Sequence, residues 1–186
     1  MLLQEIRKKL LQQQKLRSRN LLGGPMHYKN LFSIKLDYKS ASLLVFLAIL
    51  PNVLGMLNIS TSLGFKLHFF QIGIFAAAML YGPVGGAVSG GIGSVYSAIL
   101  MNNPYIIVGN IILGLFAGLF ISFGMHTVLS VILAYLIQLP WLWLSDIYLA
   151  HMPLGAVKGV VAALLFSNII WAALVHYTVR PFKKLI

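Results

Sequence analysis

Residues 71–93 read QIGIFAAAMLYGPVGGAVSGGIG, and the Gly82-Pro83 pair in their middle narrows what this chain can fold into. An apolar stretch enters Tyr81-Gly82-Pro83 and a glycine-dense apolar stretch leaves it. Proline has no N–H and excludes the turn before it, so one straight helix cannot pass through at low cost. The simplest solution is two antiparallel membrane helices joined by a tight turn. In the second of them small residues recur at every fourth position, Gly82, Gly86, Gly90 and Ser94, beside a parallel stripe of Gly85, Ser89, Gly93 and Ser97. In lipid, burying apolar surface between helices gains nothing, and such stripes let backbones approach to van der Waals range. This helix is expected at the centre, with the others packed around it.

Composition justifies the membrane. Of 186 residues, 59% are hydrophobic and 9% charged, against about 25% charged in an ordinary soluble domain. There is no cysteine, so disulfide and thiol chemistry are excluded. The formal net charge of +11 raises nucleic acid as a partner, yet the charge is placed otherwise. Nine of the fourteen Lys and Arg residues precede position 40, and three stand at Arg180, Lys183 and Lys184. That is the distribution of a topology signal, with the basic ends held in the cytoplasm, and no nucleic-acid partner is expected.

The expected fold is all-α: a six-helix integral membrane domain over 39–186, preceded by a basic segment over 1–38. In that segment Arg7, Lys8, Lys9, Lys15, Arg17 and Arg19 alternate with Leu2, Leu3, Ile6, Leu10, Leu11 and Leu16. It reads either as an amphipathic helix on an anionic membrane surface or as a tail ahead of a start at Met26. The spans are expected at about 39–57, 67–81, 83–100, 105–124, 126–144 and 154–179. Pro51 lies inside the first and frees the carbonyl of Leu47, which needs another partner. Gly114, Gly118 and Ser122 form a small stripe on the fourth span, and Gly155, Gly159, Ala163 and Ser167 another on the sixth. An even number of crossings leaves both termini on one side, their basic charge makes that side the cytoplasm, and the polar loops, 58–66, 101–104 and 145–153, gather at the outer face.

Several chemistries are absent. A phosphate-binding loop needs a Lys-Ser/Thr pair after its last glycine, and Gly90-Gly91 is followed by Ile92-Gly93. The only acids are Glu5, Asp37 and Asp146, too few and too far apart for paired-carboxylate catalysis or an acid-lined proton relay. No enzyme activity, cofactor or metal site is expected. A binding constellation remains near the fifth loop: Trp141, Asp146, Tyr148, His151 and Lys158, with His68 at the rim and Asn110 below. Aromatic rings hold planar ligands and a few polar groups orient them. Each residue also has a plainer role, Trp141, Trp143 and Tyr148 as an interfacial belt and Lys158 as a snorkelling cation.

In these features the chain resembles a substrate-binding S component of the energy-coupling factor transporters for vitamins and other micronutrients. The resemblance rests on Gln71-x-Gly73 leading into Leu80-Tyr81-Gly82-Pro83-Val84-Gly85-Gly86, on Gly109-x-x-x-x-Gly114-x-x-x-Gly118, and on Pro153-x-x-x-x-Lys158. It implies capture of a small water-soluble compound at the outer face, of the riboflavin or thiamine type. It also implies a membrane-embedded T subunit and two ATPases on other chains. The family's first helix docks the T subunit through Ala-x-x-x-Ala, here represented by Ala41, Val45 and Ala48. Two readings from other classes compete: a six-helix enzyme acting on lipid or isoprenoid substrates, and a structural or regulatory membrane subunit.

Overall fold

The computed structural model describes residues 37–60 and 66–179, together with the single positions Glu5, Phe32 and Pro181. The basic segment at 1–38, apart from its last residues, lies outside them. Helix α1 spans Tyr38–Gly55, and the Asp37 side chain caps it by accepting from Ser40 N at 2.9 Å. A short antiparallel ribbon follows, β1 (Asn58–Ser60) paired with β2 (Lys66–His68), where a plain loop was expected. Then come α2 (Gln71–Ile92), a short α3 (Val95–Leu100), α4 (Tyr105–Ser122) and α5 (Thr127–Leu144). Helix α5 continues as a π-helix over Ser145–Leu149, and α6 spans Leu154–Val179. The expected outer loop at 145–153 is therefore half helical, and the expected third span is broken at Gly93-Ser94.

Among the described residues five segments are long and apolar enough to cross a membrane, where the sequence suggested six. The difference lies in Gln71–Leu100, which counts once. Its backbone nonetheless reverses at Gly82, whose φ of 66° and ψ of −152° interrupt the helix in a region that only glycine occupies readily. Gly73 and Gly93 both abut the ring of Pro51. Twenty positions would separate them by about 30 Å along one straight helix. Gly86 likewise faces Ala78 across the fold, and Gly85 faces Ala77 and Tyr81. Of the most apolar eighteen residues of Gln71–Leu100, 61% are buried, against 28–39% in the corresponding stretches of the other four segments.

The two small-residue stripes have different partners. Gly82, Gly86 and Gly90 meet the α4 backbone at Gly118, Gly114 and Asn110, so closely that a methyl group has no room. Gly85 and Gly93 face the other limb and α1, and Ser89 Oγ donates to Leu47 O at 2.7 Å. That is the carbonyl Pro51 deprives of its helical donor. The core fills in behind these contacts with Ile74, Phe75, Leu113, Val131, Tyr135 and Val175. The small stripe of α6 divides: Ala163 and Ser167 are buried, while Gly155 and Gly159 face open space.

Two ends can be distinguished. Tyr81 OH donates to Ser40 O at 2.9 Å, which puts the start of α1 beside the Gly82 turn. Thr127 Oγ1 lies 2.9 Å from His176 Nδ1, so the last turns of α6 meet the start of α5. Met79, Gly124, Met125, His126 and His176 share one crevice there. The turn between α4 and α5 closes with Gly124 at φ 84°, Gly124 N bonding Ile121 O and Met125 N bonding Phe120 O, the pairing of a glycine helix stop. The ribbon, the Asn102-Asn103 turn and the π-helix gather at the opposite end.

Candidate functional site

At that opposite end the chain encloses a cavity of about 70 Å³. Each wall comes from a different element: His68 and Phe70 from the ribbon and its exit, Ser97 and Met101 from α3 and its end, Asn103 from the turn. Helix α4 contributes Tyr105, Gly109 and Asn110, and α5 with its π extension contributes Gln138, Trp141, Ser145 and Asp146. Val160 and Leu164 of α6 form an apolar side.

Local sequence explains how the polar groups reach the cavity. Asn102 adopts φ 48°, a conformation asparagine tolerates, and the turn directs Asn103 inward, where it is 2% exposed. Asn103 Oδ1 accepts from Tyr105 N at 3.1 Å, and its Nδ2 donates to Asp146 Oδ1 at 2.8 Å. The π-helix carries Asp146 into reach, with Ala150 N bonding Ser145 O and Met152 N bonding Asp146 O. π-helical turns of this kind concentrate at functional sites. Asp146 is 6% exposed and Asn103 is its side-chain partner among the described residues.

A second chain of hydrogen bonds ties three helices together beneath. Gln138 Nε2 donates to Asn110 Oδ1 at 3.3 Å, Asn110 Nδ2 donates to Ser94 Oγ at 2.7 Å, and Ser94 Oγ donates to Gly90 O. Gln138 Oε1 ends this chain buried and without a partner. Trp141 Nε1 donates to Tyr105 O at 3.1 Å, which fixes the indole against α4. A Cβ at Gly109 would press on Gln138 Nε2 and the Trp141 ring, so glycine there keeps both side chains in place.

Of the residues singled out in the sequence, His68, Asn110, Trp141 and Asp146 line this cavity. Tyr148, His151 and Lys158 do not line it and are exposed, Tyr148 at 67%. Asn103, Gln138 and Ser145 were not singled out. Gln138 follows Ala134 and Tyr135 on the buried face of α5, and a glutamine inside an eighteen-residue apolar helix was a readable sign that a polar neighbour awaits it. On α1, Ala48 is buried, while Ala41 is half-buried and Val45 exposed. A partner docking along that stripe would meet Ala41 and Val45 only.

The larger crevice at the other end, about 290 Å³, is lined by His126, His176 and Thr127 with Met79, Ile121 and Met125. The two imidazoles stack with centroids 4.3 Å apart. It holds no carboxylate or amide side chain. Convergent polar groups from many elements are the mark of a ligand site, and of these two cavities the first has them. Comparison with protein-family models, with curated proteins and with solved structures finds nothing that matches this chain.

Proposed function

We propose that this chain is the substrate-capturing subunit of an energy-coupling factor type transporter, taking up a small water-soluble micronutrient. The observation that carries the reading is the convergence of Asn103, Asn110, Gln138, Trp141 and Asp146 on one cavity at one end of an otherwise apolar bundle. Polar groups within a membrane domain are costly, and they mark the path or seat of a polar solute. Gln71–Leu100 is read as two crossings joined at Gly82, giving six in all. The start of α1 and the end of α6 then face the cytoplasm, and the cavity faces outward. The reading is supported by the position of Ser40 beside Tyr81 and of His176 beside Thr127.

A cavity of about 70 Å³ is about half the ~150 Å³ of an engineered apolar cavity that admits one benzene. Capture of a vitamin-sized ligand therefore requires the walls to part. The ribbon and the Asn103 turn are the elements able to do so, because neither belongs to the close-packed glycine interface. Energy for release inward would come from ATPase subunits coupled through a membrane-embedded T subunit.

The test is calorimetry on detergent-purified protein against a panel of vitamins, repeated with Trp141→Ala and Gly109→Leu. Loss of a buried contact of this kind costs a few kcal/mol, and each 1.4 kcal/mol is tenfold in affinity. At least one vitamin is expected to bind without ATP, and each variant to weaken it at least tenfold while remaining folded. If wild-type affinity persists in both variants, the cavity is not the seat of the ligand.

A further inference from the structure

The hydrogen bonds around the cavity leave one carboxylate oxygen and one amide oxygen without a partner. The Asn103 amide gives one N–H to Asp146, the Trp141 N–H goes to Tyr105 O, and the Gln138 amide gives one N–H to Asn110. Left over are the second oxygen of Asp146 and the carbonyl oxygen of Gln138, the latter buried without a partner. Among the described residues lining the cavity there is no lysine or arginine, His68 is the one imidazole, and Asp146 is the only carboxylate. A buried carboxylate answered by a single neutral amide is under-compensated. Its missing complement is a positive charge bearing hydrogen-bond donors.

Resting on the transport reading above, we infer that the ligand is a cation carrying N–H groups, held by Asp146 and by the carbonyl oxygen of Gln138. The Trp141 ring in the same wall suits such a ligand, since an aromatic face attracts a cation that has left water. Neutral ring systems that mainly accept hydrogen bonds, and carboxylate-bearing compounds, fit poorly. An anion would stand against Asp146, and like charges in a desolvated site repel strongly.

The experiment uses the full chain in detergent with named probes. Thiamine and spermidine are cations with N–H donors, riboflavin is neutral, and biotin and pantothenate are anions. Binding of thiamine or spermidine at least tenfold tighter than the other three is expected. Asp146→Asn is expected to reduce that binding at least tenfold with an unchanged melting temperature, because the asparagine oxygen can still accept from Asn103. Gln138→Met, which keeps the volume and removes the acceptor, is expected to weaken the same probe. Tighter binding of riboflavin, biotin or pantothenate overturns the cation inference and leaves vitamin capture standing. Undiminished binding of the cation by Asp146→Asn overturns it as well. Binding of no probe overturns both the inference and the transport reading on which it rests.

Discussion

At Gly86 the difference between a hydrogen and a methyl group decides whether two helices can touch. A Cβ there would collide with the Gly114 carbonyl, and neither backbone has a side-chain tip that can swing aside. Gly86→Ala is expected to destabilise the protein by about 1–3 kcal/mol, the ordinary cost of overpacking. Gly155 offers the contrasting case, because nothing lies within 4 Å of its added Cβ. There alanine gains part of the ~1 kcal/mol advantage it has over glycine in a helix interior, Gly155 being the second residue of α6. Thermal unfolding in detergent should therefore show Gly86→Ala melting well below the parent and Gly155→Ala at or slightly above it. Equal melting temperatures for the two variants would contradict the close approach of α2 to α4. From the sequence the two glycines look alike, each one of a row spaced by four.

Helix α1 shows how one element's defect is repaired by another. Pro51 removes the donor that Leu47 O would have used, and Ser89 Oγ, from the far limb of α2, supplies the replacement. The proline ring then fills the space between Gly73 and Gly93, so the proline itself is the wedge that holds the two limbs against α1. Ser89→Ala leaves a buried carbonyl unpaired, with an expected cost of about 1–3 kcal/mol. In a Pro51→Ala background the backbone N–H of residue 51 returns and can serve Leu47. The serine should then matter much less, so the double variant is expected to lose less stability than the two single variants together. Chemical denaturation of all four proteins measures this coupling, and strict additivity would mean that Ser89 does not serve that carbonyl.

For the whole molecule, the reversal at Gly82 settles how the ends relate. The start of α1 and the last turns of α6 lie with the Gly82 and Gly124 turns, and the cavity lies at the other end. Because the chain has no cysteine, single cysteines report topology without background. Tyr38→Cys and Tyr177→Cys, both at strongly exposed positions, should label from one side of the membrane. Asn102→Cys and His151→Cys, also exposed, should label from the other. Labelling of Tyr38→Cys and Tyr177→Cys from opposite sides would refute an even number of crossings.

Some of this could be read in the residues alone. The Gly82-Pro83 break was legible because proline and left-handed glycine act on their own backbone, and the fourfold glycine spacing because helical period is local. The bounds of α6 were legible for the same reason, 154–179 being a mostly apolar run that starts just after Pro153 and contains no proline. The partners were not. That Ser89 answers Leu47, that Asn103 meets Asp146, and that Gln138 reaches Asn110 are contacts across 42, 43 and 28 positions, and no periodicity encodes them. The same gap explains Tyr148, His151 and Lys158. They stand near Asp146 in sequence, yet the π-helix turns Asp146 inward and leaves the three on the surface. Local backbone chemistry determined where the helices run and turn. Only their packing decided which polar side chains face one another across the cavity.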